Sequence, residues 1–567
     1  MRIAIFLILS FSLWGTAHAQ KSQSIKGEVR DSESLQTIPG VNVIVKGTDP
    51  MVGVATDIDG RFELDSIPVG RLSILVKALG FEDAHLDNLL LTSGKQLQLD
   101  IKLSPSFEQL NTVEITAAKR NNEALNEMAT VSSRSFSVEE TQRYAASAFD
   151  PSRMALSFAG VVSAGDDIEN EISVRGNSPK GILWRMEGIE IPNPNHFSDL
   201  GSSGGGISML SSSTLSRSDF YTGAFPAEFG NATSGVFDLN LRNGNNDVRE
   251  HSIMLGALGI EMATEGYFTE KSDASYLINY RYSSLAALSL VYQPFGDVLP
   301  IYQDLSFKVN IPKTPIGSIS FFGLGGSNTV AVDAESDSTL WEQNDSDNEA
   351  FNSTQDVGIV GMKHVVRIND RSYLKTVAAY SINRHTDLSE EHDLNDFSIV
   401  RPFDETNFQD DQFAVHTNYN VKSDNRNTLK IGANFILKKY GFRYDYRNLE
   451  ETTDWTNYIN SSGNATQFDQ YGQWKRRLSK KWTSNVGYHL TYIPFNRTYS
   501  IEPRAALSFQ RKPGHTYSLS VGLHSRPEHI STYFLSEDID QTRSNRAQNR
   551  NLEIPKSFHL VGGYRFN

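Results

Sequence analysis

The chain has 567 residues, enough for several domains, with 39% hydrophobic residues and a mean hydropathy of -0.38. Beyond its N-terminus no run approaches the roughly 20 apolar residues of a membrane-spanning helix, which excludes a helical membrane protein. A net charge of -14 without a basic block excludes nucleic acid as partner, and the lack of cysteine excludes disulfides and a lipid-modified cysteine anchor.

At the N-terminus Arg2 supplies a positive end and Ile3 to Trp14 an apolar stretch. Ala17-His18-Ala19 then offers small residues for cleavage. Residues 1–19 are read as a secretion signal cut between Ala19 and Gln20.

Between residues 24 and 104, short β-runs alternate with turn signals, and Val41, Val43 and Val45 fall on one face. Asp59-Gly60 marks a hairpin turn, because glycine tolerates positive φ. Asp57-Ile58-Asp59-Gly60 invites a calcium loop, but Ala55 and Ser66 stand where an EF-hand needs its first and twelfth ligands. The reading is an all-β sandwich with turn chemistry at Asp57. Gly27-Glu28-Val29-Arg30-Asp31, Ile38-Pro39-Gly40-Val41, Lys46-Gly47-Thr48, Thr56 to Phe62 and Ala78 to Phe81 together resemble the carboxypeptidase-regulatory-like domain. That resemblance implies a transthyretin-like β-sandwich and no peptidase, and the chain has no His-x-x-Glu pair to hold zinc.

Residues 105–117 are read as a linker that ends in a short extended run, Asn111-Thr112-Val113-Glu114-Ile115-Thr116. In residues 118–244 the Arg175-Gly176 turn, the Glu187-Gly188 turn ahead of Asn193-Pro194, and Tyr221 to Gly230 running into Ser234-Gly235-Val236 resemble the plug of TonB-dependent outer-membrane receptors. The family usually has Asp where Glu187 stands, which leaves a hairpin in place. Gly223, Gly230, Gly235 and Gly244 are expected at tight reversals of a small α+β plug. By position, the resemblance makes residues 111–116 the TonB box, a strand added to the partner TonB. Gly201-Ser202-Ser203-Gly204-Gly205 matches Gly-x-Ser-x-Gly literally, but no buried strand precedes it. Nor does Lys-Ser or Lys-Thr follow Gly206, so phosphate binding is not expected and a mobile plug loop is.

From residue 250 to 567, strands alternate apolar with polar residues. Leu305, Phe307, Val309 and Ile311 do so, as do Leu429 to Leu437, Trp482 to Tyr492 and Tyr517 to Leu523. Short turns at 312–315, 369–370, 423–427, 479–480 and 512–515 alternate strictly with long polar stretches at 326–354, 385–411, 448–464 and 526–551. That is the pattern of an antiparallel transmembrane β-barrel with about 14 strands, given a hairpin near Gly256 to Gly259. His385 and His392 flank Glu390 and Glu391 in a polar loop, where solvation is a better account than metal. Asp333 to Glu349 is likewise an acidic, hydrated loop.

Fourteen strands closed on themselves would enclose on the order of 10,000 Å³, less than the roughly 17,000 Å³ of a 125-residue plug. The resemblance implies 22 strands, so C-terminal strands are expected beyond Asn567. The functional expectation is a receptor in the outer membrane that captures an extracellular ligand and imports it with energy from TonB and its proton-driven motor. No cofactor, metal or catalytic residue is called for. A non-transporting adhesin or structural barrel remains open, and so does the ligand: siderophore, vitamin, glycan or peptide.

Overall fold

The computed structural model describes residues 22–106, 124–136, 150–165, 169–199, 201–211, 213–256, 259–270, 272–284, 299–335, 348–393, 396–449, 454–512, 514–534 and 549–566. Ala19, Gln20 and residues 111–116 lie outside them. The chain divides into two compact units, residues 1–109 with 118–121, and the remainder.

The first unit is a β-sandwich. One sheet orders Arg61–Pro68, Ser22–Asp31 and Leu97–Leu103; the other orders Val52–Ala55, Asn42–Val45, Gly70–Lys77 and Ala84–Leu91. Ile25, Val29, Val41, Val43, Ile74 and Val76 are fully buried between them, which is what period-2 alternation dictates when one face of each sheet is covered. Asp57 is used locally. Its Oδ1 accepts the backbone N–H groups of Asp59 (2.9 Å) and Arg61 (2.8 Å), with Gly60 at φ +75° closing the turn.

The second unit is an antiparallel sheet of fourteen strands curled around a small plug. The strands are Glu250–Gly256, Gly259–Tyr267, Ser275–Ser284, Leu299–Thr314, Gly317–Val332, Glu349–Asn369, Ser372–His392, Val400–Lys422, Asn427–Tyr446, Thr456–Arg477, Trp482–Ile493, Thr498–Lys512, His515–Ser525 and Lys556–Phe566, each paired to its sequence neighbour. Gly256 pairs with Gly259, the hairpin that the strand count required. Among the described residues the first and last strands are not paired with each other, so the sheet forms an open wall. This agrees with the volume argument: the plug is too large for a closed cylinder of fourteen strands.

Burial on the wall is inverted relative to a soluble protein. Ile253, Leu305, Ile431, Val486, Leu519, Phe558 and Leu560 are exposed, whereas Asn279, Asp304, Lys308, Lys475, Asn485, His489 and Arg504 are buried on the opposite face. Apolar side chains turned outward suit lipid, and polar side chains of the other face bond the plug.

Two expectations about the connections need correction. Gly326 to Val332, Glu349 to Thr354, His385 to His392, Val400 to Asp411 and Thr456 to Asn464 are strand, not loop. Beyond the lipid layer neither face requires apolar residues, so the alternation fades while the backbone ladder continues. Strict short-long alternation also fails at Pro494 to Arg497, four residues between two strands on the long-loop side.

The plug is built on a five-stranded sheet ordered Ile189–Glu190, Leu183–Met186, Val236–Leu239, Ser218–Tyr221 and Ser133–Phe136. Trp184 stacks on Phe237 at 4.3 Å, and Phe220 lies on the other side at 4.3 Å. A five-residue helix, Pro151–Ala155, is capped by Asp150. The plug's first described segment, residues 124–128, bonds Asp219 of this sheet through the N–H groups of Leu125 and Asn126.

Candidate functional site at the plug and wall

Glu187 and Gly188 occupy the two corners of the hairpin that joins Leu183–Met186 to Ile189–Glu190, with φ of +54° and +99°. A primed turn of this kind twists with its strands, and glycine relieves its second corner. The turn presents Glu187 to the wall, fully buried. Lys308 Nζ donates to Oε1 at 2.8 Å, the Lys363 ammonium donates to Oε2, and the N–H of Leu241 also donates to Oε1 at 2.9 Å. Burial alone would push the Glu187 carboxyl up, but the two ammoniums override it and hold it well below the usual range.

A second carboxylate repeats the arrangement. Glu228 receives Lys430 Nζ at 2.7 Å, Arg185 Nη1 at 3.1 Å and Asn126 Nδ2 at 2.6 Å. Burial pushes this carboxyl up as well, and Lys430 and Arg185 bring it well below its ordinary value. Lys475 on the wall reaches Glu127 at 2.9 Å. On the far arc Arg242 grips Glu265 at 2.5 and 2.8 Å, and His196 meets Asp304 at 3.1 Å beside Arg281.

Residues 124–128 are therefore held from both sides. Met128 O accepts Asn485 Nδ2 at 2.6 Å, and Ala227 N donates to Gln473 at 2.7 Å. From the plug, Asp219 accepts Leu125 N at 2.9 Å, Asn126 N at 3.1 Å and the Tyr221 hydroxyl at 3.0 Å. Burial pushes the Asp219 carboxyl up to about 6; Asp238, its cross-strand partner, adds to this, and the backbone hydrogen bonds oppose it. A carboxyl raised above its unfolded value stabilises the native state fully below pH ~4, and that stability is lost as the pH rises through the folded value. The urea midpoint for plug release should therefore fall between pH 5 and 7, and Asp219→Asn should flatten that slope. An unchanged slope in the variant would refute the assignment.

The residues singled out in the sequence take different roles. Arg175 (φ +54°) and Gly176 (φ +76°) form a turn, and Arg175 Nη2 donates to Ser132 at 2.7 Å and Thr222 at 3.2 Å. Gly223 has φ +142°, but Gly230, Gly235 and Gly244 are not reversals. They allow close approach: a Cβ on Gly230 would meet His489 Nε2 at 2.2 Å, and one on Gly235 would meet Val174 at 3.2 Å. The Gly201 to Gly205 run, expected to be mobile, is tied down. Asn193 Nδ2 donates to Gly204 O at 2.8 Å, Trp184 Nε1 donates to Ser203 O at 3.0 Å, and a Cβ on Gly204 would strike Glu171 at 2.6 Å. His385 pairs with Asp387 and His392 with the Phe397 carbonyl, and no group of three metal-ligating side chains occurs among the described residues.

Sequence reasoning missed the wall lysines and Glu228. Their signal was present: Lys308 stands between Phe307 and Val309, and Lys430 between Leu429 and Ile431. A charge in the inward slot of a lipid-facing strand needs a counter-charge inside. A small pocket adjoins this cluster, bordered by Arg185, Glu190, Glu228, His416, Asn434 and Asp469.

With plug and wall placed, comparison with known proteins is decisive for the fold. The model of the carboxypeptidase regulatory-like domain matches residues 24–104. Among solved structures, the outer membrane transporter YddB of Escherichia coli superposes with a TM-score of 0.55 at 11% identity, over 77% of this chain and 67% of its own. The chain has the fold of the TonB-dependent outer-membrane receptors. The siderophore receptor PirA of Acinetobacter baumannii superposes at 0.54 with 13% identity, over 77% of this chain and 68% of its own. A mutant of the ferric enterobactin receptor PfeA of Pseudomonas aeruginosa gives 0.53 with 14% identity, over 77% and 69%. No curated protein sequence matches. In this receptor fold the Glu187 and Glu228 clusters are two of the charged contacts between plug and wall.

Proposed function

We propose that the protein is a TonB-dependent receptor of the outer membrane that captures an extracellular ligand and imports it as the plug shifts. One observation carries this reading: a lipid-suited wall whose polar face is occupied by the plug, bonded by side chains along the sheet from Glu261 on the second strand to His559 on the last. Such a plug blocks the lumen until it moves, so passage must be gated. The work required is differential affinity and mechanical displacement, with no covalent chemistry.

Residues 111–116 are the proposed TonB box, thirteen residues or fewer ahead of Ala124. Among the described residues, 124–128 is the plug segment that follows the box, and Asp219, Glu228, Asn485 and Lys475 hold it. The secretion signal at residues 1–19 and a periplasmic sandwich are part of the same proposal. Growth of a deletion strain on siderophore, vitamin, oligosaccharide and peptide sources identifies the source that depends on the protein. On that source, removing residues 111–116 should abolish uptake while binding to whole cells persists. Undiminished uptake would overturn the proposal.

A further inference from the structure

Five lysines project from the inner face of one arc of the wall: Lys308, Lys363, Lys375, Lys430 and Lys475. Each stands two to six residues from the end of its strand at a short turn: Thr314 for Lys308, Asn369 for Lys363, Ser372 for Lys375, Asn427 for Lys430 and Arg477 for Lys475. A spread of four residues at about 3.3 Å each, tilted near 40°, confines them to a belt about 10 Å deep. Register places them side by side. Lys363 faces Val377, two residues from Lys375; Lys375 faces Asn418, two from the partner of Lys430; and Lys430 faces Gln473, two from Lys475.

The other inward positions at this depth along the arc, among them Ser306, Ser320, Tyr373, Asn418, Asn420 and Gln473, include no carboxylate. In the closed state the counter-charges come from the plug: Glu187 for Lys308 and Lys363, Glu228 for Lys430, and Glu127 for Lys475. Lys375 has no carboxylate within ion-pair distance among the described residues, and its Nζ packs where a Cβ on Gly188 would fall, 2.4 Å away. The wall's own acids at comparable depth, Glu261 and Glu265, lie on the second strand, away from this arc.

We infer that the opened passage is lined by this lysine belt and selects anionic solutes, those bearing carboxylate, phosphate or sulfate groups, the plug carboxylates masking the belt at rest. The inference rests on the proposed gating. When the plug shifts, its three carboxylates leave with it and the belt is left with five ammoniums. An arc of one sign in a low-dielectric wall concentrates counter-ions and repels co-ions. The closed state thus carries within the plug a replica of the charge that the passage takes.

The test is the reversal potential of the purified full chain in planar bilayers under a tenfold KCl gradient, with the plug loosened by urea. Chloride should permeate at least threefold better than potassium. Lys375→Gln, which orphans no carboxylate, should lower the ratio, and adding Lys363→Gln should lower it further while Glu187 keeps its ion pair with Lys308. Open events without anion preference, or a ratio that ignores these substitutions, would overturn the lysine belt and leave gating intact. Failure of any treatment to open a conductance would overturn the gated passage, and the belt's role with it.

Discussion

Replacing Glu187 with Gln should lower the free energy of plug release by about 3–5 kcal/mol, the usual cost of removing one partner from a buried charge cluster. Gln keeps the shape and one acceptor, so the loss reports charge. Lys308 and Lys363 would then face each other across a neutral amide, and the Leu241 N–H would keep only a weaker acceptor. The urea midpoint of plug release, followed by proteolysis of residues 124–244, is the measurement. Strand content of the wall should stay constant through that transition. The depressed carboxyls also set a pH window: Glu187 and Glu228 stabilise the closed state above pH ~4.5, and the gain is lost as the pH falls toward their folded values. In Glu187→Gln that acid sensitivity should shrink. A midpoint within experimental error of the parent would show that the lysines are neutralised some other way.

Gly244→Ala should cost about 3 kcal/mol, because it inserts a methyl where the backbone leaves no room. An added Cβ would lie 1.9 Å from the Tyr276 carbonyl oxygen and 2.5 Å from its carbon, and backbone cannot rotate aside as a side chain can. The position is the seam between the last plug strand and the first wall strand. Arg242 and Asn245 on either side of it both bond Glu265, at 2.5 and 3.0 Å, so the seam has no slack in which to absorb a shift. Gly562→Ala is the matched control, a wall glycine with nothing within 4 Å of its would-be Cβ. It should change stability by less than about 0.5 kcal/mol. Equal losses in the two variants would mean that a general glycine effect, not the seam, is responsible.

Legibility differed between the halves of the fold for a physical reason. Leu305, Phe307 and Val309 announce a strand because lipid penalises any polar residue in an outward slot, so the wall was readable to the strand count. His385 to His392 looked like loop because outside the lipid that penalty disappears, although the ladder with Val400 to Phe408 goes on. In the sandwich, Val41, Val43 and Val45 were legible for the same reason as the wall: one face is dry. The Glu187-Gly188 turn was legible too, because two positive φ values restrict which residues can stand there.

Its partners were not. Lys363 lies 176 residues from Glu187 and Lys430 lies 202 from Glu228, and no local rule links such distances. Gly230 and Gly244 read as reversals because in sequence a glycine that turns and a glycine that yields space look alike. Only the neighbouring His489 ring and Tyr276 carbonyl tell them apart.

By itself the sequence determined an inverted β-wall, a sandwich before it and a glycine-punctuated plug between, because alternation and turn chemistry are local consequences of what each side of a strand must face. Tertiary structure alone decided which inward lysine meets which plug carboxylate, and which of those lysines the register brings side by side. Those facts depend on strand register and on how the plug sits against the wall, which are settled by summed contacts across the whole sheet and not by any short stretch of chain.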